Sequence, residues 1–290
     1  MRSSDSRSKL SIIVTGGGRG LGYEMAYALL QAGHRVLITG ARHGDELNQA
    51  KQTLSAAIAG ADVSTALADV TQWSDCERVA QAALARWGRI DGLVNNAARG
   101  MREISETYTT EPALFWQSDP EACARIVQTN VTGAFCMARA CVPHMVAQGF
   151  GRVVNISTSA VTMVRKGYWP YGPSKAALEA MTSVWVKDLS GTGVTANVLL
   201  PGGASDTQLL PGHGGERKGA DGQLLPPSLM RSPIVWLMSA DCQVTGRRSS
   251  LSNGETTCHP TKRHSWLSLK RWTPPPSCER WRMRWAVTPA

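Results

Sequence analysis

Short apolar stretches of strand character alternate with longer stretches of helical periodicity along most of this chain. The first pair is the strand-like S-I-I-V at 11–14 and a helix predicted at 24–33, which Gly33 ends. Further strands are predicted at 35–40, 63–70, 92–96, 152–157 and 194–200. Further helices are predicted at 45–59, 74–87, 119–147, 172–189 and 233–240. Strands that alternate with helices indicate βαβ units, so the sequence predicts an α/β fold with a parallel sheet and helices on both faces.

The segment T-G-G-G-R-G-L-G at 15–22 joins the first predicted strand to the first predicted helix. A helix N-terminus carries unsatisfied N–H groups and the positive end of the helix dipole, so it attracts phosphate. Gly16, Gly20 and Gly22 allow the backbone to turn tightly and to approach a pyrophosphate. An ordinary strand-to-helix turn is the alternative that the glycines alone leave open. In this position they predict a dinucleotide site in a doubly wound sheet of the Rossmann type.

The basic residues are concentrated near the C-terminus. The chain of 290 residues carries a formal charge of +9, and residues 241–290 hold nine Lys and Arg against three Asp and Glu, which is +6. Since this excess lies outside the alternating segments, it says little about the partner of the main domain. We therefore do not expect nucleic acid as that partner.

The character of the sequence changes after Arg248. Residues 249–290 contain four of the ten Trp and five of the fifteen Pro, and they show neither helical nor strand periodicity. We therefore divide the chain into one domain at 1–248 and an atypical tail at 249–290 that lacks a last strand. A disordered segment and a shifted reading frame both fit such a tail.

Several classes of site and location have no signal in this sequence. No apolar run approaches the roughly 18 residues of a membrane-spanning helix, and the N-terminus lacks the apolar core of a signal peptide, so we expect a cytoplasmic protein. The seven Cys include no C-x-x-C pair, which favours reduced thiols. None of the six His has a partner at ligand spacing, so no metal site is predicted.

Further short motifs follow the glycine loop in order, at the ends of predicted strands or on the helices that follow. They are A-D-V at 68–70, N-N-A-A at 95–98, Q-T-N-V-T-G at 128–133, Y-G-P-S-K at 171–175 and P-G at 201–202. Together with the spacing T-G-x-x-x-G-x-G, this set resembles the short-chain dehydrogenase/reductase family over residues 9–248. The resemblance implies an oxidoreductase that uses NAD(P), acts on a small carbonyl or alcohol substrate and forms a homo-oligomer.

The resemblance also assigns residues to the cofactor. It implies that Asp69 contacts the adenine and that Lys175 holds the nicotinamide ribose. The full predicted set of cofactor-binding residues is Thr15, Gly16, Arg19, Gly20, Leu21, Gly22, Arg42, Asp69, Val70, Asn96, Ala97, Tyr171, Lys175, Pro201 and Gly202.

The residues after the second predicted strand bear on which cofactor binds. An acid there would accept hydrogen bonds from the ribose 2′-hydroxyl and repel a 2′-phosphate, but the chain reads G-A-R-H at 40–43 and has no acid before Asp45. Arg19 lies within the glycine loop, where members of the family that use NADP often carry a basic residue, and Arg42 adds a second cation. We therefore expect NADP(H) rather than NAD(H). Two solvent-facing arginines beside a cleft are the alternative.

Tyr171 and Lys175 lie four residues apart on a predicted helix and therefore share one face of it. A phenol with a pKa of about 10 is a poor base at neutral pH, and a nearby ammonium would lower that pKa. The resemblance implies that Tyr171 exchanges a proton with the carbonyl or alcohol oxygen and that Asn130 fixes a water in the proton relay. Taken alone, the pair would also fit a tyrosine and a solvated lysine on a helix surface.

A third catalytic hydroxyl is expected within N-I-S-T-S at 155–159. In the family a serine thirteen residues before the tyrosine hydrogen-bonds the reacting oxygen, and that position is Thr158 here. Threonine provides the same donor with an additional methyl group. Strand alternation places Ser157 and Ser159 on the side opposite Thr158, so a shift of one residue would present either serine instead. We expect Thr158 and, after it, Ser159.

The residues that surround the substrate are less specific. A loop containing Y-T-T-E-P-A-L-F-W at 108–116 is longer than is usual in the family. With Tyr168, Trp169 and a flap rich in Gly and Pro at 203–227, this loop would wall an apolar pocket. Alternatively, the Phe115–Trp116 pair packs the loop against the domain.

Three functions are compatible with these patterns. The leading one is an NADP(H)-dependent oxidoreductase that interconverts a carbonyl and an alcohol by hydride transfer, with a Tyr–Lys proton relay. The second is a sensor that binds NADP(H) without turnover. The third is a nucleic-acid binder, which explains none of the ordered motifs. Its bases would stack on the tryptophans of the tail, which are Trp266, Trp272, Trp281 and Trp285.

Overall fold

Seven parallel strands form one sheet in the order β3-β2-β1-β4-β5-β6-β7. The computed structural model describes residues 9–212, 217, 219 and 222–251. The strands are β1 Ser11–Val14, β2 Arg35–Gly40, β3 Asp62–Leu67, β4 Gly92–Asn95, β5 Gly151–Ile156, β6 Val194–Leu200 and β7 Arg248–Ser250. All six neighbouring pairs run parallel, so the predicted doubly wound α/β fold is confirmed.

Helices connect the strands and cover both faces of the sheet. They are α1 Gly20–Gln31, α2 Gly44–Ala57, α3 Trp73–Trp87, α4 Pro120–Val127, α5 Ala134–Ala147, α6 Ala160–Met163, α7 Tyr171–Asp188 and α8 Arg231–Met238. A π-helical segment, Gln128–Gly133, joins α4 to α5, and short 3-10 turns occupy Met101–Glu103, Phe115–Gln117 and Pro227–Met230.

The core is divided between the two faces of the sheet. Within β1, Ile12 and Val14 pack towards the helices α1, α2 and α8, whereas Ile13 packs towards α3 and α5. All three side chains are fully buried. Because successive side chains of a strand point to opposite faces, a strand that is covered on both faces must be apolar throughout. This requirement explains the continuous apolar runs in the sequence.

The strand order places a crevice at the carboxyl ends of β1 and β4. From β1 the chain proceeds outwards to β2 and β3, and it then returns to add β4 on the other side of β1. The loops that follow β1 and β4 therefore leave the sheet in opposite directions. In open parallel sheets, ligands bind at such a switch point.

The structure moves the boundaries of several predicted elements. The first helix begins at Gly20 rather than residue 24, because the end of the glycine loop itself forms its first turn. The third strand ends at Leu67 rather than residue 70, because its only neighbour, β2, ends opposite it at Gly40. The single helix predicted at 119–147 is interrupted by the π-helical segment that contains Asn130.

The prediction that no last strand follows Arg248 is wrong. Residues Arg248–Ser250 form β7, which pairs with Val198–Leu200 at the edge of the sheet. The segment was missed because three residues are too few to show an alternating pattern. The rest of the predicted tail, 252–290, lies outside the described residues, and so do its four tryptophans.

Candidate active site

A cleft of about 1000 Å³ lies at the carboxyl ends of the strands. It is lined by loops that follow β1, β2, β3, β4, β5 and β6 and by the first turns of α7. Most of the residues predicted for cofactor binding and catalysis line this cleft: Gly16, Arg19, Gly20, Leu21, Arg42, Asp69, Val70, Asn96, Ala97, Thr158, Ser159, Tyr171, Lys175, Pro201 and Gly202. The remaining three do not line it: Thr15 and Asn130 hydrogen-bond residues that do, and Gly22 packs closely against Gly16.

The glycine loop has the backbone that its sequence predicts. Gly16 and Gly20 have φ angles of 63° and 56°, a region that side chains rarely adopt. A Cβ atom at Gly22 would lie 2.2 Å from the backbone oxygen of Gly16. The loop therefore offers backbone and no Cβ at the N-terminus of α1, and this surface fits a pyrophosphate group.

Thr15 and Asn96 fix the shape of the glycine loop. The Thr15 hydroxyl accepts the N–H groups of Asn96 and Ala97, both at 3.0 Å, and donates to the Val94 oxygen at 3.2 Å. The Asn96 side chain in turn donates to the backbone oxygens of Thr15 and Gly16, at 2.9 and 3.0 Å. The loops after β1 and β4 therefore hold each other at the switch point.

The predicted adenine contact, Asp69, lies at the edge of the cleft. One of its carboxylate oxygens accepts the N–H and the hydroxyl of Thr71, at 3.0 and 2.8 Å. Its own N–H donates to Asp75 at 2.8 Å, and this bond holds the pKa of the Asp75 carboxyl below its ordinary value. These local bonds set the position of the Asp69 side chain in the loop after β3.

Tyr171 begins α7 at the cleft, and Lys175 lies one turn further along the same helix. The ammonium of Lys175 is 3% exposed and donates to the Ile156 oxygen at 2.8 Å. Desolvation lowers the pKa of Lys175 to about 8, although the charge of Glu179 raises it. Desolvation raises the pKa of Tyr171 to about 12, against a hydrogen bond with Thr158 that lowers it. The predicted lowering of the phenol pKa by Lys175 is therefore absent from this structure, where desolvation is the larger effect.

The three candidate hydroxyls have different partners. Thr158 hydrogen-bonds the phenol of Tyr171. Ser157 is buried and donates to Glu179 at 2.7 Å. Ser159 also lines the cleft, but its oxygen accepts the Thr162 N–H at 3.1 Å and so caps α6. Only Thr158 of the three contacts the tyrosine among these interactions.

Asn130 lies behind the cleft wall and is 1% exposed. Its side-chain oxygen accepts the Arg99 N–H at 2.8 Å, and its amide donates to the Arg99 oxygen and to the Ser174 hydroxyl, at 3.0 and 2.9 Å. The Ser174 hydroxyl donates to the backbone oxygen of Tyr171 at 2.7 Å. Both N–H groups of the amide are used in these bonds. Asn130 therefore couples the loop after β4 to the start of α7, and its π-helical setting is of the kind found at functional sites.

A pair that sequence reasoning missed lies behind the catalytic residues. Arg248 of β7 donates to both carboxylate oxygens of Glu179, at 3.0 and 2.9 Å, and to the Thr158 backbone oxygen at 2.8 Å. Glu179 follows Lys175 by one helical turn and also accepts the Ser157 hydroxyl. The spacing Tyr171, Lys175, Glu179 along one helix face was the signal available in the sequence. The arginine 69 residues further on had no such signal.

The charges at the cofactor end of the cleft include an acid. Arg19 donates to Glu46 at 2.8 Å, and both side chains line the cleft together with Arg42. Glu46 lies in the first turn of α2 and was not predicted as part of the site. Arg19 is 53% exposed, so this ion pair is weak and open to exchange with another anion.

The wall at the substrate end differs from the predicted apolar pocket. Tyr108 and Tyr168 line the cleft and form an edge-to-face pair with ring centroids 5.6 Å apart. Trp169 does not line it. The Phe115–Trp116 pair neither lines the cleft nor packs against the domain, because the two rings contact each other at 5.0 Å and remain about two-thirds exposed.

The predicted flap contributes its first part to the cleft, from Gly203 to Leu210. Its two ends are joined by hydrogen bonds of Leu225 with the Ala204 oxygen, at 2.7 Å, and with the Asp206 N–H, at 3.0 Å. Residues 213–216, 218 and 220–221 of the flap lie outside the described part of the chain.

The described residues contain neither a candidate metal site nor a membrane-spanning helix. No group of three or more His, Cys, Asp or Glu side chains among them is arranged to hold a metal ion. None of their helices has the length and apolar character needed to cross a bilayer.

Comparison with known proteins agrees with this fold and shows the family. Residues 11–214 match the family model described as short chain dehydrogenase. Over 198 residues the chain is 34% identical to a short-chain type dehydrogenase/reductase of Picea abies. This alignment covers 66% of this chain and 69% of that protein. Over 195 residues it is 33% identical to the rhamnolipids biosynthesis 3-oxoacyl-[acyl-carrier-protein] reductase of Pseudomonas aeruginosa, with 66% and 71% covered. A metagenomic short-chain oxidoreductase, solved in complex with NADP, superposes with a TM-score of 0.67 at 22% identity over 84% of this chain and 95% of that one.

The substitution Gly22→Ala is expected to damage the glycine loop. The added methyl group would overlap the Gly16 oxygen, so the free energy of unfolding should fall by roughly 1–3 kcal/mol and dinucleotide binding should be lost. Urea unfolding and cofactor fluorescence measure the two effects. Gly44→Ala is the matched control, because an added Cβ there has no neighbour within 4 Å, and it should change stability by less than about 1 kcal/mol. Equal behaviour of the two variants would contradict the prediction.

Proposed function

We propose that this chain, which belongs to the short-chain dehydrogenase family and is an NAD(P)-dependent oxidoreductase, uses NADP(H) and a Tyr171–Lys175 proton relay. It interconverts a carbonyl and an alcohol on a small-molecule substrate. The observation that carries the proposal is that Thr158, Tyr171 and Lys175 line one cleft with the glycine loop, with the Lys175 ammonium held on the Ile156 oxygen one turn from Tyr171.

The cofactor would occupy the glycine loop and the N-terminus of α1. Gly16 and Gly20 present a surface without Cβ atoms there, which fits a pyrophosphate, and Gly22 allows α1 to pack closely against Gly16. Bound NADP(H) supplies or accepts the hydride, and the protein positions it and handles the proton.

Tyr171 is the proton donor to the carbonyl oxygen in the direction of reduction. With its pKa raised to about 12, the phenol stays protonated at neutral pH, as an acid must. Thr158, which hydrogen-bonds the phenol, would share the reacting oxygen with it and so orient the substrate carbonyl.

Lys175 supports the proton transfer by its charge. Its ammonium is within one turn of the phenol on the same helix face, and we propose that it stabilises the phenolate that forms during turnover, although desolvation of Tyr171 is the larger effect in this structure. Because burial lowers its pKa to about 8, this support weakens as the pH rises through that value. Since both N–H groups of the Asn130 amide are used, a relay water at this residue would bind its backbone oxygen instead.

The preference for NADP(H) rests on the two cleft arginines. Arg42 is exposed, and Arg19 is held by an ion pair that a 2′-phosphate would replace. The solved relative that binds NADP has the same fold and supports this choice by analogy. Glu46 favours NAD(H) instead, because its carboxylate would repel a 2′-phosphate and accept a hydrogen bond from a ribose hydroxyl.

We propose one catalytic domain, predicted at 1–248 and extended by β7 to Ser250, with a separate tail, a cytoplasmic location and a homo-oligomer. A sensor that binds NADP(H) without turnover is the alternative, which the threonine at position 158 and the atypical tail make possible, and the proximity of Thr158 to Tyr171 favours the enzyme over it. The residues on which a nucleic-acid binder would depend lie outside the described part of the chain.

Removal of the Tyr171 hydroxyl tests the proposed chemistry. With NADPH and a panel of ketones and aldehydes, Tyr171→Phe should lower kcat/KM by about 10²–10⁴-fold while cofactor binding persists. Thr158→Val removes the hydroxyl at nearly constant volume and should lower kcat/KM by at least roughly 10-fold, and Thr158→Ser should restore it. Ser159→Ala tests the alternative hydroxyl. A larger loss for Ser159→Ala than for Thr158→Val would exchange their roles, and full activity of Tyr171→Phe would refute the relay.

The cofactor preference is tested by the charges around the adenosine end of the cleft. Arg19→Ala and Arg42→Ala should each weaken NADPH binding by roughly 10-fold, the value of a lost charge-assisted hydrogen bond, and leave NADH nearly unchanged. Glu46→Gln should strengthen NADPH binding relative to NADH. Titrations followed by cofactor fluorescence give both dissociation constants. If NADH binds the unmodified protein more tightly than NADPH, the preference is reversed.

The pH dependence of turnover tests the role of the Glu179–Arg248 pair. The charge of Glu179 raises the pKa of Lys175, so Glu179→Gln should lower that pKa and shift the alkaline loss of kcat/KM to lower pH by about 0.5–1 unit. Arg248→Met leaves the carboxylate without its cation and should shift the same limb to higher pH. The opposite signs separate an electrostatic effect from simple loss of structure, which would lower activity at every pH in both variants.

A further inference from the structure

Four arginines line the substrate end of the cleft, between the 3-10 turn at Met101–Glu103 and the flap. Three of them have carboxylate partners: Arg99 with Glu103 at 2.5 Å, Arg102 with Glu106 at 2.7 Å and Arg217 with Asp206 at 3.0 Å. An arginine that already has a carboxylate in contact gives the cleft little net charge. These three therefore contribute mainly to the shape of the wall.

Arg165 is the fourth of these arginines and has a different environment. Among the residues that the structure describes, no Asp or Glu lies within ion-pair distance of its guanidinium. Its guanidinium lies over the ring of Tyr168, 5.3 Å from the centroid, and it is partly buried. It follows α6 and precedes Tyr171 by six residues along the chain.

The segment that carries Arg165 is tied to the catalytic helix. The Tyr168 N–H donates to the Arg165 oxygen at 3.1 Å, and the Gly172 N–H donates to the Tyr168 oxygen at 2.8 Å. The ring of Tyr168 also makes an edge-to-face contact with the ring of Tyr108, which helps to hold it in place. Arg165 therefore rests on a platform whose position is fixed relative to the phenol of Tyr171.

We infer that Arg165 binds a negatively charged group of the substrate, a carboxylate or a phosphate, at the end of the cleft opposite the glycine loop. A guanidinium on an aromatic face, in a cleft and with no carboxylate partner among the described residues, is suited to bind two anionic oxygens in its plane. Binding of the charged group here would place the remainder of the substrate against Tyr171. This inference rests on the proposed function, and it adds the substrate class: oxo or hydroxy compounds that carry an acid or a phosphate.

Two matched pairs of substrates test the inference in the full-length protein with NADPH. Acetoacetate is compared with methyl acetoacetate, and dihydroxyacetone phosphate with dihydroxyacetone, so that charge is the main difference in each pair. Binding is followed through the fluorescence of bound NADPH for every compound, and kcat/KM is measured for those that are reduced. The variants are Arg165→Ala, Arg165→Lys and the control Lys166→Ala, an exposed neighbour that does not line the cleft.

We expect the unmodified protein to prefer at least one charged member over its neutral counterpart by roughly 10-fold or more, and Arg165→Ala to abolish that preference through KM. Arg165→Lys should restore part of it, and Lys166→Ala should not alter it. A preference for the carboxylate identifies an acid, and a preference for the phosphate identifies a phosphate ester. Equal or weaker binding of both charged members, or a loss that is the same for charged and neutral compounds, would overturn the inference. Failure of the proposed function gives a different result, which is either no saturable binding of NADPH or saturable binding without reduction of any charged or neutral compound.

Discussion

The hydrogen bonds between the carboxyl ends of β1 and β4 are the contacts on which the site depends. Thr15 and Asn96 exchange bonds across the switch point, and each side chain also fixes a backbone group next to Gly16. Because the glycines have no side chains of their own to hold them, their positive φ angles persist only if the surrounding atoms fix the loop. The N-N-A-A segment is thus as necessary to a phosphate-binding backbone as the glycines are, and both loops are set by the central strands of the sheet.

The catalytic end of the cleft depends on a second set of contacts that reaches the edge of the sheet. Glu179 lies behind Lys175 on α7, and Arg248 joins it to the backbone of Thr158. One ion pair therefore connects the last described strand to the helix that carries the buried lysine and to the backbone of Thr158, the residue beside the Tyr171 phenol. The electrostatic result is a compromise, in which desolvation lowers the pKa of Lys175 and Glu179 partly restores it. The ordered bonds of Asn130 with Arg99 and Ser174 hold the same helix from the other side.

Charge compensation divides the cleft into functional regions. At the cofactor end Arg19 is paired with Glu46, but the pair is exposed and can be replaced by a phosphate. At the substrate end most arginines are neutralised by neighbouring carboxylates. Arg165 differs because, in the part of the chain that the structure describes, its neighbour is an aromatic ring and no carboxylate pairs with it. A site in which most charges are compensated leaves the few uncompensated ones to determine which ligand is favoured.

The sequence by itself determined six of the seven described strands, the order of the main helices and the glycine loop that we propose binds phosphate. Periodicity and glycine spacing are local properties, and the strand alternation left one arrangement for Gly16, Gly20 and Gly22. Ser157, Thr158 and Ser159 were not separable in sequence, because adjacent hydroxyls differ only in direction, and that direction is set by Glu179, Tyr171 and the cap of α6. Tertiary structure alone likewise determines that β7 forms and which groups pair with Glu46, Arg248 and Arg165. Each depends on a neighbour brought close by packing across many residues of chain, and no local pattern encodes such a neighbour.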